Sequence, residues 1–169
     1  WIHWLPKENG LKKLRINKKK FIYLISPTKI RKSFYKNLIE VLKLNKVSFF
    51  QLRLKNTSFK IKIKIGKKIK KICKRYKVKF IINDDVTLSK KLDSDGCHLG
   101  QKDMAISDAR KILKKKIIGV TCHNSIKLAK LAIKKKASYL AFGAFSVSKT
   151  KKTKFKADVN LIKKIKKIT

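Results

Sequence analysis

The sequence is poor in acid: it has 9 Asp and Glu against 48 Lys and Arg, for a formal net charge of +39. Such a charge makes an anionic partner, above all nucleic acid, the first function to consider. Arginine is scarce too, with only five of the 48 basic residues, and the bidentate Arg fork is what reads bases and phosphates best. Lysines spread along nearly every segment, with no stripe of stacking aromatics, favour a solvated surface over a specific nucleic-acid face.

Cysteine and long apolar runs are scarce as well. Cys73, Cys97 and Cys122 form no Cys-x-x-Cys pair, which predicts reduced thiols in a cytoplasmic protein and no disulfide framework. Apolar runs such as 47–54 are far shorter than the roughly 20 residues that cross a bilayer, so no membrane partner is expected.

Apolar, strand-like segments alternate with lysine-rich segments of helical period. This rhythm is typical of repeated βα units with a parallel sheet and predicts an α/β fold. The predicted strands cover 21–25, 47–54, 78–82, 96–99, 117–121 and 139–142. The predicted helices cover 31–44, 65–76, 86–92, 105–115, 125–136 and 158–168.

Two stretches do not fit this rhythm. From Phe59 to Ile65, apolar residues and lysine alternate with strand period where a crossover helix should begin, so this stretch is interpreted as an irregular lead-in. Residues 1–20 hold a turn-like stretch and a basic segment, and they are assigned to an N-terminal extension without readable chemistry. The domain itself is predicted to cover 21–169.

Polar residues follow one predicted strand after another at its carboxyl end. In open α/β sheets and in closed barrels alike, the chemistry collects at that end. A shared rim would therefore unite Ser26, Gln51, Arg53, Lys55, Asn83, Asp84, Gln101, Asp103, Thr121, His123, Ser148, Thr150 and Lys151.

The few acids are concentrated, since five of the nine fall between positions 84 and 103. Asp84 and Asp103 follow neighbouring strands. Two carboxylates on neighbouring loops suit Mg²⁺ bound to a substrate diphosphate, because magnesium takes few protein ligands. Asp85 is better interpreted as a helix N-cap, and Asp93 and Asp95 as turn residues.

The predicted strand 47–54 has two unlike faces. Its even positions are apolar, whereas its odd positions change from Val47 and Phe49 to Gln51, Arg53 and Lys55 toward the carboxyl end. An inward barrel face is apolar below and functional at the rim. Arg53 and Lys55 are therefore predicted as anion ligands.

Two Cys-His pairs, at 97–98 and 122–123, raise the question of zinc. Adjacent strand residues point to opposite faces, so at most one member of each pair could meet a shared metal. Buried thiols and a rim histidine at His123 are the preferred interpretation. The loop with Ser148, Thr150 and Lys151 has hydroxyls and cations that suit a phosphate, although a solvated lysine-rich loop would have the same composition.

Taken in order, five segments resemble the thiamine phosphate synthase family. They are FFQLRLK at 49–55, FIINDDV at 80–86, DGCHLGQKDM at 95–104, IIGVTCHNS at 117–125 and FGAFSVSKTKK at 142–152. The resemblance implies a TIM-type (β/α)8 barrel. It also implies a Mg²⁺-dependent transferase that joins hydroxymethylpyrimidine diphosphate to thiazole phosphate, giving thiamine phosphate and pyrophosphate.

The same resemblance assigns residues to the reaction. Thr121 stands where the family usually has serine, which keeps the hydroxyl and adds a methyl group. The residues implied as catalytic are Arg53, Lys55, Thr121 and Lys151. The implied ligands are Asp84 and Asp103 for Mg²⁺, Arg53, Lys55, Asn83 and Lys151 for pyrophosphate, Gln51 for the pyrimidine, Thr121 for substrate, and Ser148 and Thr150 for the thiazole phosphate.

The sequence departs from the family at its end and in one loop. It stops at Thr169, before the last two strands, to which the resemblance assigns thiazole phosphate binding. We therefore expect a barrel cut after about six βα units, with an exposed sheet edge and weak binding of the pyrimidine diphosphate. The loop over 146–150 also has serines where the family commonly has a Pro-Thr pair.

Two other functions stay open. One is a related thiazole tautomerase, which performs a proton shift and for which His123 would be the base. The other is a basic nucleic-acid-binding protein, which only the charge supports. Asp84 and Asp103 together favour the synthase, because a proton shift needs no metal for a diphosphate.

Overall fold

The computed structural model of the protein describes residues 2–4, 22–145 and 156–167. The strands are β1 (Ile2–Trp4), β2 (Ile22–Ile25), β3 (Val47–Leu52), β4 (Lys79–Asn83), β5 (Gly96–Leu99), β6 (Ile117–His123) and β7 (Tyr139–Phe142). The helices are α1 (Lys32–Lys43), α2 (Phe59–Arg75), α3 (Val86–Leu92), α4 (Ile106–Leu113), α5 (Ile126–Lys134) and α6 (Val159–Lys166).

The strands form a single sheet in the order β1-β7-β6-β5-β4-β3-β2. From β2 to β7 each strand pairs in parallel with the next one in the chain, and a helix connects each pair. This confirms the α/β fold of repeated βα units. Among the described residues, no helix has both the length and the apolar composition needed to cross a membrane.

The sheet curves strongly toward its inner face. Tyr23 on β2 and Tyr139 on β7 are separated by four strands in the sheet order, yet their hydroxyl oxygens lie 2.6 Å apart. A flat sheet would hold these groups about 24 Å apart, because five spacings of roughly 4.8 Å separate the two strands. The strands therefore follow the wall of a barrel, which confirms the predicted TIM-type architecture.

The two faces of the sheet bury different side chains. Outward residues such as Phe50 and Ile118 pack under the helices. Inward, Phe49, Ile81 and Tyr139 form a separate apolar layer, together with Ile117. A Cβ on Gly119 would come 1.9 Å from the Tyr139 ring, so glycine makes room for that ring. Phe49 and Phe50 thus confirm that the predicted strand 47–54 has two unlike faces, although the strand ends at Leu52 and Val47 packs with the outer cluster.

The start of α2 differs from the prediction. The helix begins at Phe59, so the irregular lead-in over 59–65 is wrong. Ser58 caps the helix by accepting a hydrogen bond from the Ile61 N–H. The alternation misled because Phe59 and Ile61 stay exposed and only later residues of the helix pack on the core.

The extension over 1–20 also contains an element that the sequence did not predict. Strand β1 runs antiparallel to β7, with Ile2 opposite Phe142 and Trp4 opposite Leu140. Its backbone pairs with that edge of β7, so within the described residues the sheet ends at β1 and β2 instead of at β7.

Candidate active site

The predicted carboxylate pair comes together at the carboxyl ends of β4 and β5. Asp84 follows β4, and its N–H donates to the His98 carbonyl at 2.7 Å. Asp103 lies in the loop after β5, where its Oδ2 accepts the Gly100 N–H at 2.6 Å. Each of the two carboxyl groups shifts the pKa of the other, so they are close neighbours. The sequence therefore correctly predicted that they are neighbours.

Lys55 joins this pair from the end of β3. Its Nζ lies 2.9 Å from Asp84 Oδ2, with the lysine about half exposed. Burial alone would raise the pKa of Asp84, but the hydrogen bonds from Lys55 and Asp103 hold it below its ordinary value. The pKa of Asp103 is raised, because burial and the neighbouring Asp84 outweigh the Gly100 N–H. Asp103 is thus the first of the two to take up a proton.

The other three acids of the cluster have structural roles, as predicted. Asp85 caps α3 by accepting the Leu88 N–H at 2.8 Å. Asp95 accepts the Phe80 N–H at 2.9 Å at the opposite end of the strands. Asp93 ends α3 in a left-handed conformation.

Gln51 near the end of β3, and Arg53 and Lys55 just after it, lie at the same end of the sheet. Gln51 is 3% exposed, and its side-chain Nε2 has no hydrogen-bond partner within the described residues. A buried amide donor without a partner costs free energy, which a bound ligand can recover. Arg53 is half-buried, and its backbone N–H donates to the Ser26 hydroxyl at 2.9 Å. Ser26 therefore holds the strand end that carries Arg53.

Thr121 belongs to a buried chain of hydrogen bonds that sequence reasoning missed. Its Oγ1 lies 2.8 Å from His98 Nε2, and His98 Nδ1 lies 2.9 Å from the Tyr139 hydroxyl. Tyr139 in turn meets Tyr23. Strand alternation puts His98 and Tyr139 on the inner face and could have identified both, but their contact with Tyr23 depends on the curvature of the sheet.

The remaining predicted residues are only partly placed. Asn83 ends β4 opposite His98 of β5 and is half-buried. Ser148, Thr150 and Lys151 lie outside the described residues. The structure therefore brings Gln51, Arg53, Lys55, Asn83, Asp84, Asp103 and Thr121 to the carboxyl ends of neighbouring strands.

The Cys97-His98 pair divides between the faces as the alternation predicts. Cys97 and Cys122 pack in the outer core, whereas His98 faces inward toward Tyr139. Burial raises the pKa of the Cys122 thiol to about 12, so it stays protonated.

Comparisons with known proteins agree on a family. The family model described as "Thiamine monophosphate synthase" matches residues 22–169. The thiamine-phosphate synthase of Pelagibacter ubique (strain HTCC1062) is 62% identical over 160 residues, which are 94% of this chain and 77% of that protein. The thiamine-phosphate synthase of Thermoplasma acidophilum is 35% identical over 153 residues, which are 90% of this chain and 71% of that protein.

Solved structures give the same result. The thiamine phosphate pyrophosphorylase of Pyrococcus furiosus superposes with a TM-score of 0.69 and 30% identity, over 79% of this chain and 64% of that chain. This chain thus spans slightly less than two thirds of that protein. A truncated 3-deoxy-D-arabino-heptulosonate 7-phosphate synthase of Thermotoga maritima shares the fold. It superposes with a TM-score of 0.60 and 14% identity, over 89% of this chain and 61% of that chain. On the family match and the two relatives above 30% identity, the chain belongs to the thiamine monophosphate synthase family, whose members named here are transferases.

Proposed function

We propose that this site joins hydroxymethylpyrimidine diphosphate to thiazole phosphate. The observation that carries the proposal is the meeting of Lys55, Asp84 and Asp103 at one rim, together with the buried amide of Gln51 four residues before Lys55 in the chain. Cation and carboxylates serve a metal-bound diphosphate, and the amide serves a polar ring. A nucleic-acid face would need neither the carboxylate pair nor the buried donor.

The carboxylate pair fits Mg²⁺. Asp84 and Asp103 are close neighbours, and the charge of Asp84 raises the pKa of Asp103. A divalent cation relieves this repulsion. No cluster of three or more His, Cys, Asp or Glu side chains able to hold a metal is found in the described part of the chain, and two carboxylates with a substrate diphosphate are what magnesium commonly uses. When bound, Mg²⁺ would neutralise charge on the leaving pyrophosphate.

The basic residues of the rim would hold the other diphosphate oxygens. Lys55 already faces the carboxylate pair, and Arg53 reaches the same strand end two residues earlier. Asn83 offers an amide from β4. We assign Lys151 the same role on the resemblance. These donors stabilise the negative charge that grows on pyrophosphate as the bond from its oxygen to the pyrimidine methylene breaks.

The pyrimidine would lie toward the inner face, where Gln51 Nε2 donates to the ring and Thr121 contacts the substrate. Ser148 and Thr150 would hold the thiazole phosphate. The departing oxygen keeps the electron pair of the broken bond, and the thiazole nitrogen supplies the pair for the new carbon–nitrogen bond. No proton has to move, so positioning and electrostatics supply most of the rate.

The test compares Arg53→Ala with Arg75→Ala. Both remove one positive charge, but Arg75 ends α2 and stacks on Tyr76 at the opposite end of the barrel. Arg53→Ala should weaken Mg²⁺-dependent binding of the pyrimidine diphosphate about 10- to 100-fold, the value of one or two charge-assisted hydrogen bonds. Calorimetric titration measures this. Equal losses in the two variants would show only a diffuse positive potential and would contradict the proposed site.

The tautomerase finds less support. The named relatives are thiamine-phosphate synthases, and a proton shift gives no use to the carboxylate pair.

The three cysteines are free thiols and buried, which supports the proposal that the enzyme works in the reducing cytoplasm.

A further inference from the structure

We infer that His98 is a positioning residue, which fixes the Thr121 hydroxyl as a hydrogen-bond donor to the substrate. This inference rests on the proposed function and adds a residue that acts through another. His98 is 7% exposed on the inner face of the sheet. It touches Thr121 through Nε2 and Tyr139 through Nδ1.

A neutral imidazole has one N–H and one lone pair, so its two neighbours must play opposite roles. In one arrangement Tyr139 donates to Nδ1, and the Nε2–H donates to Thr121. In the other, the Nδ1–H donates to Tyr139 and the Thr121 proton goes to Nε2. Only the first arrangement leaves the Thr121 proton available for a ligand.

The chain of hydroxyls favours the first arrangement. A phenol is a far stronger acid than an aliphatic alcohol and is therefore the better donor to an imidazole lone pair. Tyr139 also meets the Tyr23 hydroxyl at 2.6 Å. In the first arrangement Tyr23 donates this bond, which makes the Tyr139 proton a still better donor. The Tyr139 ring stacks on the imidazole, with centroids 5.6 Å apart, which holds the ring plane.

The surroundings hold Thr121 in place while its proton is set. Gln101 donates from its side chain to the Thr121 backbone carbonyl. Thr121 is 8% exposed, so little water competes for its proton. Whether this hydroxyl donates to a ligand thus depends on a chain of hydrogen bonds that crosses the inside of the barrel to Tyr23 on β2.

The first measurement is independent of activity. Proton–nitrogen correlation spectra of ¹⁵N-histidine-labelled protein separate the two neutral tautomers, and His98→Asn assigns the signal. We expect the Nε2–H tautomer in the wild type and a mixture in Tyr139→Phe. The Nδ1–H tautomer in the wild type would overturn the inference, whether or not the protein proves to be a synthase.

The second measurement uses two amides that each replace one ring nitrogen. In His98→Gln the amide reaches the place of Nε2 and donates to Thr121, whereas in His98→Asn it reaches only the place of Nδ1. With pyrimidine diphosphate, thiazole phosphate and Mg²⁺, we expect kcat to fall roughly tenfold in His98→Asn, the loss of about one hydrogen bond, and to recover largely in His98→Gln. Equal loss in both variants would contradict the positioning role.

A double substitution separates positioning from stability. If His98 acts through Thr121, His98→Asn should not lower kcat further in a Thr121→Val background. Ser94→Ala is the control, because it breaks a buried hydrogen bond to Ser89 elsewhere in the fold and should lower the melting temperature with kcat unchanged. Additive losses in the double variant would overturn the inference. A wild type that yields no product would refute the proposed function and leave the tautomer result standing.

Discussion

Two pairs of aspartates, all within 20 residues of each other in the chain, lie at opposite ends of the sheet and differ in the positive partners that the protein gives them. At the amino-terminal end of β5, Asp95 receives both Lys79 and the Phe80 N–H, and Asp93 receives Lys70 and Lys116. At the carboxyl end, Asp84 and Asp103 crowd each other and have Lys55 as their partner.

The difference shows what the few acids do in a very basic protein. The pair at the amino-terminal end is compensated by the protein itself, so it stabilises the fold. Within the described residues, the two carboxylates at the carboxyl end share one lysine, Lys55, which suits a site that a metal ion and its diphosphate complete. The following predictions test this contrast.

The largest effect is expected for the pair at the carboxyl end, Asp84 and Asp103. Asp84→Asn or Asp103→Asn should abolish Mg²⁺-dependent release of pyrophosphate, because one carboxylate cannot replace two as metal ligands. Far-ultraviolet circular dichroism should show an intact fold. Asp108→Asn is the control, since Asp108 pairs with Lys111 on the exposed face of α4. Wild-type turnover in Asp84→Asn or in Asp103→Asn would refute the assignment of these carboxylates as metal ligands.

A smaller effect is expected for the pair at the amino-terminal end, and it concerns stability instead of activity. Asp95→Ala leaves the Phe80 N–H without its side-chain acceptor and removes the partner of Lys79. The free energy of unfolding should fall by about 1–3 kcal/mol, as measured by urea denaturation. Turnover at low temperature should stay near wild type. A large loss of turnover with unchanged stability would show that the two ends are not specialised as described.

The smallest effect concerns pH and Asp103. Its pKa is raised in the folded protein, so its protonated form favours folding, and that contribution is lost as pH rises through the raised value. Without Mg²⁺ at neutral pH, Asp103→Asn should therefore melt about 1–2 °C higher than the wild type. Calorimetry in EDTA at pH 4 and pH 7 checks this, and the gap should close at the lower pH. A lower melting temperature for the variant at pH 7 would show that its charge is not in conflict with Asp84.

Some of this could be predicted because the signals are local. The βα rhythm predicted the six parallel strands, and the scarcity of acid made Asp84 and Asp103 conspicuous. The odd positions of the segment 47–55 made Gln51 and Lys55 candidates, because strand period and polarity are both visible along the chain.

Other features depend on how distant parts meet. No pattern in the chain joins Tyr23 to His98, because that relay needs the curvature of the whole sheet. The alternation at the start of α2 was misleading, since exposed isoleucines are no guide to a buried face. β1 pairs through its backbone with β7, and nothing in its three residues indicates that partner.

The Tyr23–Tyr139 contact joins residues that are 116 positions apart, and this separation bears on the order of folding. A loop of that length closes late, after local βα units have formed. During synthesis from the N-terminus, β2 emerges long before β7. The carboxylate pair can form as soon as β4 and β5 are in place. If the chain of hydrogen bonds from Tyr23 makes the Thr121 hydroxyl a donor, Thr121 becomes one only when β2 and β7 meet. Competence for the reaction is then among the last properties the folding chain acquires.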